Sequence, residues 1–440
     1  MPALRKYLKG FITNTTGLQL FQLLRFGTFF LTGILLSKRL SVASIGFYET
    51  LMFVSTVASY FWVTGMINSL LSLYPVRSGN SKSLLFNVFL VLCLFSLLFF
   101  GFMQAFSSAI AGYFHITDLV TFRIFLVYFL LNNPAFLIEY IFLLKNKPKF
   151  ILLYGIFVFF LHLLAVVVPV YLGYPVQVSL NLLVITALLK FLFLLALVTR
   201  SSDTGIDRPF IREYLWIAAP LVFAALVAGA AEFSDSLIIS HLFDKSSFAI
   251  FRYGARELPL TLFLANAFSN AMVPLIAGGE NLPSRLDEIR AKSARLMHLL
   301  FPVSILLMVL SPWLYTYFFT AEFRPSSLIF NTYLLLIINR LVFPQALLLG
   351  YRKTRSILLI SVLELLLNII FSVFLALRLG IAGVALGTFI AFFCEKVLLL
   401  IAVNRELKIS PSRYVPVKTL FMYSLLLLAA YFGFLYYFNK

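Results

Sequence analysis

Charged and polar side chains interrupt the long apolar stretches of this sequence. They are the residues that could bind a ligand or take part in proton or ion transfer. The basic candidates, with one nearby amide, are Arg25, Arg252, Arg256, Lys190, Lys396 and Gln22. The acidic candidates are Glu232, Asp235, Glu257 and Glu364. A charge in apolar surroundings is costly and commonly faces a polar cavity or another charge. These residues therefore predict a binding cavity among apolar segments.

The arginines have the chemistry to bind phosphate groups. Arg25 lies near the middle of the apolar stretch 15–36, with Gln22 one turn before it, and Arg252 and Arg256 are spaced to share a helix face. Two or three guanidinium groups facing one cavity would bind a diphosphate bidentately and stay charged in a low dielectric. Two interpretations stay open for Arg25, namely substrate contact or a structural pair with a buried carboxylate.

The lysines and carboxylates also have two interpretations each. Lys190 and Lys396 lie toward the ends of their stretches, so they could reach the headgroups of a bilayer or face the same cavity as the arginines. The acidic candidates could pair with the arginines or take up a proton or ion during transport.

Motifs of soluble enzymes are absent from the sequence. It contains no phosphate-binding P-loop, no nucleophile elbow and no HExxH zinc motif. Cys93 and Cys394 both lie inside apolar runs, without the spacing of a disulfide framework or a metal site. We expect no cofactor, no metal and no enzymatic activity.

Composition places these residues on membrane-spanning helices. The chain has 440 residues, 62% hydrophobic and 12% charged, whereas soluble domains carry roughly 25% charged residues. Its continuous apolar runs match helices that cross about 30 Å of hydrocarbon. The predicted spans are 15–36, 47–73, 84–108, 119–143, 150–172, 178–199, 213–240, 248–277, 297–319, 327–350, 356–378, 383–403 and 419–438. The expected fold is all-α and polytopic.

The net charge of +18 is a topology signal. Loops on the side of the N-terminus are rich in lysine and arginine, as in Lys145, Lys147 and Lys149, and the opposite loops are nearly neutral. Because cytoplasmic loops carry the basic excess, we expect a cytoplasmic N-terminus. This distribution argues against nucleic acid as a partner.

The two halves of the sequence repeat. Lys190 and Lys396 are 206 positions apart, and so are the strings Ile151–Leu153 and Ile357–Leu359. The shared offset predicts two six-helix lobes related by pseudo-two-fold symmetry, as in alternating-access transporters. The predicted domains are an N-lobe over 1–200, a C-lobe over 201–404, and a loop with an additional helix over 405–440.

Several segments resemble bacterial polysaccharide-unit flippases of the O-antigen type. The segment Leu18–Pro75, with Gly46-Phe47-Tyr48 after a short loop, resembles their opening helices. Asp235 matches an acidic position in their second half, although Ser236 stands where arginine is usual, and Tyr253-Gly254-Ala255-Arg256 and Gly350-Tyr351-Arg352-Lys353 follow in register. These proteins belong to the multidrug, oligosaccharidyl-lipid and polysaccharide exporter superfamily, in which twelve or fourteen helices are usual.

The resemblance implies a flippase in the bacterial inner membrane that moves an undecaprenyl-diphosphate-linked oligosaccharide for surface polysaccharide or lipopolysaccharide biosynthesis, with polysaccharide polymerase machinery as a further partner. In related lipid II flippases, arginines on the first and eighth helices line a cationic cavity, and Arg25 and Arg256 occupy comparable positions. The alternatives are a cation-coupled multidrug exporter, which would carry an acidic residue in its N-lobe cavity, and a membrane-embedded polymerase or ligase, which would carry a large outer loop.

The thirteen predicted spans place the C-terminus outside the cytoplasm. A reporter fused after Lys440 that is active only in the cytoplasm should therefore give no signal, while the same reporter fused before the first span should be active. A strong cytoplasmic signal from the C-terminal fusion would mean that one span has been miscounted.

Overall fold

The computed structural model describes residues 14–77, 83–255, 264–265, 268–269, 271–273, 276 and 282–438. All regular secondary structure in these ranges is helical. The all-α fold predicted from the sequence is confirmed.

The first compact unit comprises residues 1–233 with 244–246. Its helices are α1 (Asn14–Ser37), α2 (Val42–Arg77), α3 (Leu84–Ala105), α4 (Ser107–Tyr113), α5 (Leu119–Ala135), α6 (Leu137–Leu144), α7 (Pro148–Tyr171), α8 (Val176–Ser201) and most of α9 (Arg208–Leu242). The beginning of α9 is anchored here, since the Tyr214 hydroxyl donates to the Met66 carbonyl at 2.9 Å.

The second unit comprises residues 234–243 with 247–440. It holds the end of α9 and most of α10 (Lys245–Gly254), followed by α11 (Leu282–Phe318), α12 (Ser326–Leu334), α13 (Ile337–Arg340), α14 (Pro344–Gly350), α15 (Thr354–Leu379), α16 (Ile381–Leu407) and α17 (Val417–Phe438). Short 3-10 turns stand at Ala321–Phe323 and Pro411–Arg413.

Within the described ranges, eleven helices are long and apolar enough to cross a membrane. One more span is broken, because Ala321–Arg340 and Pro344–Gly350 meet at 43°. Every predicted span except 248–277 overlaps one of these helices, and about half of the residues in 248–277 lie outside the described ranges. The chain is a multi-pass membrane protein. The total of thirteen spans and the boundaries of the two lobes stay predictions.

One predicted loop is helical. The stretch between the predicted spans 248–277 and 297–319 is expected to be a loop, but α11 begins at Leu282. Lys292 pairs with Glu288 at 2.5 Å on the exposed face of this helix. Such charge pairs one turn apart stabilise helical segments that are too polar to register as spans.

The helices α15 and α16 form a hairpin with very close backbones. Gly380 connects them at φ +65°, a conformation that favours glycine. At Gly387, a Cβ atom would lie 2.5 Å from the backbone nitrogen of Ser372. Small residues allow this kind of backbone approach between helices in a membrane.

Gly387→Ala should therefore lower the stability of the purified protein, by about 1–3 kcal/mol for an overpacked contact. The matched control is Gly433→Ala on α17, where an added Cβ would meet nothing within 4 Å. Both substitutions gain the same helix propensity, so the difference in thermal unfolding temperature isolates the contact. Equal unfolding temperatures for the two variants would contradict the close packing.

Candidate functional site

A cavity of about 400 Å³ lies within the first unit, lined by α1, α2, α5, α6, α7 and α8. Its charged, amide and imidazole lining residues are Arg25, Asn68, Asn132, Asn133, Glu139, His162 and Lys190. Its aromatic lining residues are Phe21, Phe29, Tyr60, Tyr128, Phe136, Tyr140, Tyr154 and Phe159. Aromatic walls with a few placed polar groups are typical of small-molecule and cofactor sites.

A break between α5 and α6 positions one wall of the cavity. Pro134, in the last turn of α5, has no backbone N–H to continue the helical ladder. The break presents Asn132 and Asn133 from the end of α5 and Glu139 from the beginning of α6. Irregular backbone at membrane depth is tolerated where it is buried in protein or lines a cavity.

Arg25 forms an ion pair with Glu139 across this cavity wall. Its Nη2 atom lies 3.2 Å from Oε2 and 3.4 Å from Oε1 of the carboxylate. The guanidinium also lies 5.2 Å from the Phe21 ring centre and 5.5 Å from that of Phe136. The Glu139 side chain is 4% exposed, but that of Arg25 is 29% exposed. Of the two interpretations, the structure contains the buried carboxylate pair, and substrate contact by Arg25 stays a prediction.

Lys190 enters the same cavity from α8. Its ammonium donates to Oδ1 of Asn132 and lies 5.7 Å from the Tyr128 ring centre. Within the described part of the chain, the ammonium contacts no carboxylate. Because Glu139 already offsets Arg25, the charged lining residues leave one positive charge uncompensated.

The other predicted residues of this group are dispersed. Gln22 is half-buried on α1 but does not line the cavity. Arg252 lies on α10, and Arg256 and Glu257 lie outside the described residues. Glu232 is exposed on α9 and lies close enough to the cavity residue Tyr60 to interact with it electrostatically.

In the second unit, Asp235 is the centre of a buried polar cluster. Its Oδ2 atom accepts hydrogen bonds from the hydroxyls of Tyr333 and Thr388, each at 2.5 Å. Asn368 joins the cluster through Thr388 at 3.2 Å and through Ser234 at 3.0 Å. The Oδ1 atom of Asp235 is buried and has no hydrogen-bond partner among the described residues.

A second cluster in this unit contains Lys396. Its ammonium lies 3.9 Å from the Glu395 carboxylate. Glu364 is 8% exposed and lies close enough to interact electrostatically with Lys396 and Arg340. The two lysines that are related by the sequence repeat therefore differ, since Lys396 has carboxylate neighbours and Lys190 contacts an amide.

Two features of the cavity were missed by the sequence analysis. Glu139 is not among the acidic candidates of the sequence, and its neighbours Asn132 and Tyr128 are not among the polar candidates. Pro134 was the available signal, because a helix break in a span commonly marks a binding region.

A sequence profile described as "Polysaccharide biosynthesis protein" matches residues 35–328 of the chain. The chain belongs to this family. None of the curated proteins matches the sequence significantly.

This polysaccharide biosynthesis protein shares its fold with solved transporters. A structure of the lipid II flippase MurJ in an inward closed conformation superposes with a TM-score of 0.68 at 18% identity, over 94% of this chain and 92% of that chain. An inward-facing multidrug resistance MATE family transporter of the MOP superfamily gives 0.65 at 14% identity, over 87% of this chain and 94% of that chain. At these identities, the likeness establishes the fold.

Substitution of Arg25 and Glu139 tests whether Arg25 contacts the substrate or serves only to pair with the buried carboxylate. Arg25→Gln alone leaves a buried carboxylate without its cation, which costs about 3–5 kcal/mol. The double variant Arg25→Gln/Glu139→Gln removes both charges and should recover most of the lost unfolding temperature in detergent.

Complementation of a transport-deficient strain by the stable double variant then decides the role. If Arg25 contacts the substrate, the double variant reaches the membrane at a normal level but fails to complement. Full complementation would show that Arg25 serves only to pair Glu139.

Proposed function

We propose that this protein is a flippase that moves an undecaprenyl-diphosphate-linked oligosaccharide across the bacterial cytoplasmic membrane. Membership of the polysaccharide biosynthesis family supports the role in polysaccharide assembly. The fold shared with a lipid II flippase supports movement of a lipid-linked headgroup. On this proposal the protein performs no covalent chemistry, and its N-terminus is cytoplasmic.

The observation that carries the proposal is the character of the cavity in the first unit. It combines aromatic walls and amide side chains with a net positive charge, on helices that are apolar enough to span a membrane. A headgroup of sugars and phosphates has the complementary chemistry, since it presents hydroxyl groups, apolar ring faces and negative charge. The undecaprenyl tail would stay in the bilayer while the headgroup passes through the protein by alternating access.

We assign the anionic part of the headgroup to the basic candidates. Arg25 lines the cavity and its side chain is 29% exposed, and Nη2 alone of its donors pairs with Glu139, so the guanidinium has further donors to offer a phosphate. The remaining members of the proposed substrate-binding group are Arg252, Arg256, Lys190, Lys396 and Gln22.

The carboxylates are proposed to couple transport to an ion or proton. Asp235 is the strongest of them, because its unpartnered Oδ1 atom is surrounded by hydroxyl and amide groups rather than by a basic residue. Glu232, Glu257 and Glu364 are the other coupling or pairing candidates.

The alternative of a multidrug exporter draws on the shared fold of the MATE transporter. Such exporters would be expected to carry an uncompensated acid in the N-lobe cavity, whereas Glu139 is offset by Arg25 and Lys190 adds a positive charge. This charge balance favours an anionic substrate over a cationic drug.

The proposal predicts that purified protein in proteoliposomes moves an undecaprenyl-diphosphate-linked oligosaccharide between leaflets. Transfer can be followed as loss of access to a membrane-impermeant reagent that modifies the sugar. The control is a cationic dye loaded into identical vesicles. Dye export without sugar transfer would overturn the flippase proposal in favour of the exporter.

A coupling role for Asp235 predicts that Asp235→Asn slows this transfer while the protein stays folded, because the amide keeps the shape of the side chain and loses the charge. The matched control is Ser234→Ala beside it, which removes a hydrogen bond to Asn368 and leaves the carboxylate in place. Equal transfer rates for Asp235→Asn and wild type would contradict the coupling role.

A further inference from the structure

We infer that the cavity of the first unit binds a sugar residue that carries a single carboxylate, of the uronic acid type, and that Lys190 is the cation that receives it. This inference rests on the proposed flippase function and names its substrate class as an acidic oligosaccharide. On this inference Lys190 binds the carboxylate of the sugar, and it does not bind the diphosphate that all such substrates share.

The first step is the charge of the cavity. Arg25 and Glu139 are in ion-pair contact at 3.2 Å, so together they contribute no net charge. Lys190 is the remaining charged residue among those described as lining the cavity. One positive charge in a partly buried site is matched best by one negative charge, because any surplus charge would be desolvated without a partner.

The second step is the geometry around the ammonium. A lysine ammonium has three donors, and one of them is directed to the Asn132 side-chain oxygen. Lys190 is half-buried and lines the cavity, and the bond to Asn132 is the one hydrogen bond of its ammonium among the described residues. The amide oxygen fixes the position of the ammonium without neutralising it. This is the arrangement of a prepared anion site.

The third step is the surface beside the ammonium. The Tyr128 ring lies 5.7 Å from the Lys190 nitrogen. Tyr154, which also lines the cavity, is held by stacking on Phe21 and Phe193 at 6.1 Å on either side. The tyrosines that line the cavity carry hydroxyl groups, which can exchange hydrogen bonds with the hydroxyls of a sugar ring. A charged sugar therefore fits better than a small inorganic anion.

The fourth step is the contrast with the other copy of the repeat. Lys396 is 206 positions after Lys190, but it stands next to the carboxylate of Glu395, at 3.9 Å. The Asn132 partner of Lys190 has no charge. The lysine of the second unit thus has a carboxylate beside it, whereas the lysine of the first unit has an uncharged amide. A diphosphate diester carries two negative charges, and this site supplies one.

The test compares two lipid-linked oligosaccharides that share the undecaprenyl diphosphate and differ in one sugar, a uronate in one and the neutral hexose in the other. Binding to detergent-purified protein and flipping in proteoliposomes are both measured. The variant is Lys190→Gln, which keeps a donor for Asn132 and removes the charge. The matched control is Arg200→Gln, an exposed residue near the end of the same helix α8.

Wild type should bind the acidic substrate more tightly than the neutral one, and Lys190→Gln should lose about tenfold or more of the affinity for the acidic substrate alone. Arg200→Gln should resemble wild type, and Lys190→Arg should recover part of the preference because it restores the charge. Unfolding temperatures of all variants separate a lost contact from a misfolded protein.

The remaining outcomes are distinct. An equal loss for both substrates in Lys190→Gln would place the diphosphate at Lys190 and overturn this inference, while flipping by wild type would still support the flippase. An equal affinity of wild type for both substrates also overturns it. If the acidic preference and its dependence on Lys190 are found in binding but neither substrate is flipped, the inference holds and the flippase function fails.

Discussion

Hydrocarbon offers no hydrogen-bond partner, and this constraint determines the structure at every level. Backbone groups are satisfied within helices, so the described segments that cross the bilayer are helical. Charged side chains need partners inside the protein, as Arg25 has in Glu139. Lys190 contacts the neutral amide of Asn132, and it lines the cavity of the first unit. The cavity of the first unit thus lies where the polar groups of its helices are partnered within the protein.

The two units meet this constraint in different ways although their sequences repeat. Each has a buried asparagine close to a point where a helix is interrupted, Asn133 in one and Asn339 in the other, again 206 positions apart. The repeated lysines nevertheless acquire different neighbours, an amide for Lys190 and a carboxylate for Lys396. A repeat can therefore preserve the helices while the neighbours of a repeated residue differ. Here the repeated lysine contacts an amide in one unit and lies beside a carboxylate in the other.

The sequence predicted the helices well because a span must be apolar along its whole length, and this requirement is visible residue by residue. It also predicted that Arg25 needs compensation, but it did not identify Glu139, because the partner lies 114 positions away and depends on how α1 packs against α6. The helical start of α11 was missed for the opposite reason, since its stability comes from charge pairs rather than from hydropathy. Lys190 lines the cavity, as one of its two interpretations requires, but its amide partner could be found only from the fold.

The distance in sequence between Arg25 and Glu139 has a consequence for how the protein is made. A ribosome adds roughly 5–20 residues per second, so Arg25 precedes Glu139 by about 6–23 s, since the two residues are 114 positions apart. During that interval α1 carries an arginine that costs roughly 2.5–3.5 kcal/mol at the centre of a bilayer. Insertion of α1 into the lipid is therefore unfavourable until its arginine is paired. Its full release from the insertion machinery is favoured only after α6 has emerged, which couples the integration of the first span to the synthesis of the fourth.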